Sequence, residues 1–99
     1  MTSSPTDGLS SAQHEEFLLL QKRYVDGLPA RWAEIDSAPN NPALRSALHR
    51  LAGSAGSYGF AGLEQLARKA DAQCGADEVA DLKQTLALLE AEIGLLSSG

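Results

Sequence analysis

Four stretches of this chain carry apolar residues at intervals of three and four, and none alternates apolar with polar residues as a half-buried strand would. Phe17, Leu20, Tyr24, Leu28, Trp32 and Ile35 form the first stripe, which predicts one buried face running through "DGLP" at 26–29. Pro29 has no N–H to donate, so the helix should kink, or break and restart, near Gly27. "SAPNNP" at 37–42 reads as a loop, with Asn41 as N-cap and Pro42 as the first residue of a helix reaching about Tyr58. "GFAG" at 59–62 is a tight turn. "LEQLARKADAQ", 63–73, is a third helix that stops at Gly75. The last runs from Glu78 to about Leu96, with Val79, Leu82, Leu86, Leu89, Ile93 and Leu96 as its stripe. Short connections between four amphipathic segments predict an all-α fold, an antiparallel four-helix bundle with a kinked or split first helix.

The rest of the sequence narrows the function classes. Residues 1–9, rich in Ser, Thr, Pro, Asp and Gly, are expected to be a flexible N-terminal segment, and 10–97 a single domain. Ser11 with Glu15 and Glu16 reads as a helix start with acid in its first turn. Net charge is −5 and the pI about 4.8. Nucleic acid and anionic membrane surfaces reward Lys and Arg, so neither is expected as a partner. No apolar run is long enough to span a membrane, and the N-terminus has neither the basic nor the apolar region of a signal peptide. A single cysteine, Cys74, excludes an internal disulfide and fits a reducing compartment. The expected setting is cytoplasmic, and no metal or cofactor site is predicted.

Within the second helix, "LHRLAGSAGSYGF" at 48–60 places His49 just ahead of three glycines. Stepping about 100° per residue puts Leu44, Ala47, Leu48, Leu51, Ala55 and Tyr58 on one stripe and His49 roughly opposite it, facing solvent. Its neighbours on the helix surface are Arg45, Ala52, Gly53 and Gly56, three of which carry a methyl group or less. Each glycine inside a helix costs about 1 kcal/mol relative to alanine. Gly53 and Gly56 lie off the stripe, so the expected gain is access: another protein's backbone can come close to the imidazole. Ser54, nearer the core edge, should bond back to a carbonyl one turn earlier. Trp32 and Tyr58 read as core, and His14 as incidental.

The stretch "HRLAGSAGSYGFAGL" resembles the histidine phosphotransfer (HPt) domain signature, in which a histidine is followed by x-L-K-G-S-x-x-x-G. The match lies at His49, Leu51, Gly53, Ser54 and Gly59, with Phe60 and Leu63 also usual; "GSYGF" is most similar to the phosphotransfer domains of chemotaxis-type histidine kinases. The resemblance implies a phosphoprotein of two-component signalling, with His49 carrying a phosphoryl group between receiver-domain aspartates, or from a histidine kinase to a response-regulator receiver. Neutral imidazole is a competent nucleophile near neutral pH. The domain would be a monomeric carrier rather than an enzyme, because the partner supplies the magnesium ion and the catalysis.

One departure from the signature stands out: the lysine three residues after the histidine is Ala52 here. Arg45, one turn back on the same face, is the favoured replacement as phosphate stabiliser, with Arg50, Arg68 and Lys69 as alternatives. In an antiparallel hairpin turning at Gly59, the Lys69–Asp71 region returns to the height of His49, and the resemblance places an acidic or amide partner at Asp71. Its carboxylate could accept Nδ1–H and leave Nε2 free to attack; its other reading is a salt bridge with Lys69 or Arg68. Arg45, Ala52, Gly53, Gly56, Arg68 and Lys69 form the expected partner-binding face. The competing reading is a non-phosphorylated helical adaptor that docks a signalling protein through Gly53 and Gly56. "AGSYG" at 55–59 echoes a nucleophile elbow, but that motif needs a strand-to-helix turn that this pattern does not provide.

Overall fold

The computed structural model describes residues 11–98. The expectation for residues 1–9 therefore lies outside the described residues. Five helical segments appear in chain order: α1 (Ser11–Asp26), α2 (Leu28–Asp36), α3 (Asn41–Ser57), α4 (Ala61–Gly75) and α5 (Val79–Ser98). Together α1 and α2 make a first helix split at Gly27, so the architecture is the expected all-α four-helix bundle. Gly27 N–H still donates to the carbonyls of Arg23 and Tyr24, and Arg31 N–H bonds the Gly27 carbonyl. Pro29, in the first turn of α2, needs no helical partner for its nitrogen.

α3 packs most extensively on α4 and α4 on α5, while α2 leans on α3 and α5 and closes the bundle. Leu28, Ile35, Leu48, Leu51, Leu63, Leu89 and Ile93 supply the bulk of the core. Between α3 and α4 the filling changes character. Ala52, Ala55, Ala67 and Ala70 are all buried there, and small side chains let two helices approach closely.

Both turns beside α4 are explained by their hydrogen bonds. At the end of α3, Phe60 N–H donates to the Ala55 carbonyl and Gly59 N–H to Gly56, with Gly59 at φ +84°. This Schellman pattern needs a left-handed residue, which glycine supplies without strain. The same pattern ends α4, with Glu78 N–H on the Gln73 carbonyl and Asp77 N–H on Cys74. Here the left-handed position is Asp77, at φ +57°. The helix ends at Gly75, as the sequence pattern suggested.

Several expectations need correction. The cap of α3 is Asn40, whose side chain accepts from Ala43 N–H at 2.9 Å, one residue earlier than the sequence pattern suggested. Glu15 and Glu16 lie beyond the first turn of the described α1. Phe17 and Leu20 belong to no buried face: both are exposed, as are Leu18 and Leu19 between them. The α1 backbone comes close only to α2 and α5. Burial of the first stripe begins at Tyr24, which stacks on Tyr58 with ring centroids 4.7 Å apart and on Phe60 at 5.8 Å. Trp32 and Tyr58 pack against the core but are themselves only partly buried.

Candidate functional site

The α3–α4 seam brings the candidate residues together, and its register follows from two contacts. A Cβ on Gly75 would lie 3.1 Å from the Arg45 guanidinium, and a Cβ on Gly56 would lie 3.0 Å from the Glu64 carboxylate. The interval from 45 to 56 on α3 equals that from 75 to 64 on α4, as an antiparallel pair requires. The same register sets Asp71 opposite His49 and Arg68 opposite Ala52. Residues three and four apart share a helix face, so Arg45, His49 and Gly56 form one row and Gly75, Asp71, Arg68 and Glu64 form the facing row.

His49 is exposed on this seam, and no hydrogen bond or ion pair engages it among the described residues. It shares an open groove of about 560 Å³ with Arg45, Ser46, Asp71, Cys74 and Gly75. Gly53, one turn further on, has nothing within 4 Å of where a Cβ would stand. The imidazole therefore has solvent on the groove side and an unobstructed helix surface beside it.

Asp71 is in the place the hairpin argument gave it, but its carboxylate is not held by His49. Arg45 Nε donates to Asp71 Oδ1 at 2.9 Å. The hydrogen bond first, and the carboxylate charge second, raise the Arg45 pKa further above its ordinary value, so the guanidinium is charged at all working pH. Its seat is Gly75: any side chain there would press against the guanidinium. A second pair lies along the seam on the other side of His49, where Arg68 Nε and Nη2 donate to Glu64 Oε2 at 2.9 and 2.7 Å.

A family model described as the Hpt domain matches residues 19–99. The chain belongs to the Hpt domain family. No curated protein and no solved structure gave a significant match. Hpt domains are phosphocarrier modules, not catalysts, and they work with receiver domains and kinases. No helix among the described residues of this Hpt domain is long and apolar enough to cross a membrane.

Two residues of the expected docking face change role. Ala52 is 2% exposed and belongs to the core of the Hpt bundle, so it offers nothing to a partner. Two neighbours, α2 and α4, cover α3, and the buried arc is wider than the apolar stripe suggested. Gly56 stays exposed, but Glu64 fills the space above it, so packing within the chain accounts for that glycine. Arg50 donates to Ser46 Oγ at 3.0 Å and pairs with Glu34 of α2, which turns it away from the seam. Lys69 is exposed. Ser54 Oγ donates to the carbonyls of Arg50 and Leu51, as expected, and also meets the Tyr24 hydroxyl at 2.7 Å.

Sequence reasoning missed Cys74 and Gly75 as groove residues. Cys74 is buried, and burial raises its thiol pKa against the lowering charge of Arg45. A glycine eleven residues past Glu64 was a usable signal for Gly75. Gly75 does end α4, and nothing in the sequence announces the guanidinium lying over it.

Proposed function

We propose that His49 carries the phosphoryl group of this Hpt domain and passes it between receiver aspartates, or from a kinase to a receiver, in a two-component phosphorelay. The observation that carries the reading is the setting of His49: an exposed imidazole without an intramolecular partner, on an open groove, next to an unoccupied helix surface at Gly53. A phosphoryl carrier must present its nucleophile to a second active centre, and this is the histidine of the chain that is presented that way.

In the forward step the Nε2 lone pair attacks the phosphorus of an aspartyl phosphate. An N–P bond forms, the acyl O–P bond breaks, and the aspartate leaves as its carboxylate. The proton on Nδ1 stays on the ring through this step. The return step reverses these bonds onto a second aspartate. The receiver brings the metal ion and the carboxylate, so the carrier itself needs neither. Phosphorylation adds about 1.5 to 2 negative charges at neutral pH. Arg45, one turn away and on the same groove, is the cation placed to offset them. We take the domain to act as a cytoplasmic monomer that docks its partner over His49 and Gly53.

Incubation with phosphoramidate, or with a phosphorylated receiver, should give an acid-labile, base-stable label on the protein. His49→Gln should abolish it. Label that persists in His49→Gln would overturn the assignment, and docking of a receiver without any label would favour the adaptor reading.

A further inference from the structure

Two arginine–carboxylate pairs bracket His49 along the seam, Arg45–Asp71 crossing from α3 to α4 and Arg68–Glu64 one turn apart within α4. Arg45 is held by Asp71 and rests on Gly75; Arg68 is held by Glu64, which itself rests on Gly56. In each pair one member lies on a glycine of the opposite helix. Both pairs face water, with side-chain exposures of 51% and 24% for Arg45 and Asp71, and 60% and 28% for Arg68 and Glu64.

We propose that Arg45 and Arg68 close as a two-armed clamp on the phosphoryl group of His49, and that Asp71 and Glu64 are the latches that hold the arms open beforehand. This rests on the reading of His49 as the phosphorylated residue. The register supports the reach of each arm. Arg45 stands about 6 Å from His49 along the helix axis in one direction. Arg68, opposite Ala52, stands about 4.5 Å from His49 in the other, on a helix axis about 8–10 Å away. Ala52 itself is buried and short, so α3 supplies no cation on that side. A long arginine on the facing helix fills the vacancy.

The chemistry favours the exchange. Exposed arginine–carboxylate pairs are weak, because water competes for both partners. A phosphoryl group carries up to twice the charge of a carboxylate and three acceptor oxygens, and a guanidinium can take two of them in parallel. Arrival of the group therefore draws both guanidinium groups inward and frees two carboxylates on α4. No bond is made or broken in this rearrangement; only hydrogen-bond partners change. Lys69, exposed on α4, is joined to neither latch and is left to partner recognition.

The test uses the full chain with phosphoramidate as donor. Side-chain Nε–H signals of Arg45 and Arg68 should both move on phosphorylation in a proton–nitrogen correlation spectrum, while that of Arg50 stays. Arg68→Gln should lower the labelled fraction at fixed donor concentration about threefold to fivefold, with the thermal midpoint unchanged, as expected for loss of one exposed charge-assisted contact. Arg68→Lys should restore most of it. Glu64→Gln, which removes the latch, should raise the labelled fraction, and should do nothing in an Arg68→Gln background. If His49 is labelled normally in Arg68→Gln and the Arg68 signal does not move, the clamp is refuted while the phosphorylation reading stands. Absence of any label on His49 in the parent chain refutes both.

Discussion

The apolar stripe of α3 and the apolar run Phe17–Leu20 of α1 reach opposite ends. Along the seam, small residues bring two helices together, and every apolar position of the α3 stripe is buried or packed on the core. Along α1, Phe17 to Leu20 are four apolar residues in succession, and all are exposed, Leu19 by 61%. The difference is in the partners. α3 lies between α2 and α4, whereas the α1 backbone nears only α2 and α5. Gln21 Nε2, which donates to the Tyr58 carbonyl at 2.7 Å, ties the first helix to the end of α3. The family match begins at residue 19, close to this tie. Periodicity states that a helix has an apolar side; only the packing partner decides whether that side is buried.

The largest expected effect tests this contrast directly. Leu51→Ala should destabilise the domain by about 2–5 kcal/mol, since it removes a fully buried side chain and leaves a cavity. Leu19→Ala should change stability by about 0.5 kcal/mol or less. Urea midpoints of the two variants measure the difference. Similar shifts would mean that α1 is packed in solution as closely as α3.

Ala52→Lys comes next in size. It puts the lysine of the family signature at the buried edge of the seam, where its stem meets packed helix and its ammonium must reach out past Arg68. The expected cost is about 1–3 kcal/mol, the usual range for overfilling a packed site. A variant as stable as the parent would show a looser seam, and one that also raised labelling of His49 would show that α3 can supply the cation after all.

The glycines separate more finely. Gly53→Ala should stabilise the domain by about 1 kcal/mol, because nothing lies near the new methyl group and helix propensity improves. Gly56→Ala should gain little, because Glu64 must first move aside. Equal gains would mean that Glu64 does not rest on Gly56. A bulky side chain is different again: Gly53→Gln should leave the helix intact but block transfer to a receiver, which phosphotransfer assays read directly.

How far the sequence led can be judged from these same residues. The four amphipathic segments, the break at Gly27 and the outward direction of His49 all follow from spacing along one helix, and the structure shows each of them. What depended on two helices was less readable. A helical wheel places Ala52 beside His49, yet it says nothing of the Ala67 and Ala70 that cover the seam. The hairpin count brought Asp71 to the height of His49 but could not tell that Arg45 would take its carboxylate. Gly75 ends α4 as expected, but its own position in the sequence does not announce the Arg45 guanidinium lying over it. Phe17 and Leu20 continued the stripe of Tyr24 and Leu28 without a neighbour to cover them. In each case the missing information was the identity of the side chain on the facing helix.

The smallest effect concerns Cys74, which reports on the Arg45 end of the seam. Burial holds the thiol above its ordinary pKa, Asp71 and Asp77 add to the rise, and Arg45 opposes it. The folded state therefore prefers the neutral thiol. Stability from this source is fully present below the ordinary thiol range, near pH 8.5, and is lost as pH rises through it toward the folded value. Urea midpoints should accordingly hold steady up to about pH 8 and decline above it. Arg45→Gln removes the opposing charge, so the thiol should climb further, the decline should deepen, and thiolate absorbance should appear at higher pH than in the parent. Unchanged thiol titration in Arg45→Gln would place the guanidinium away from Gly75 and Cys74 in solution.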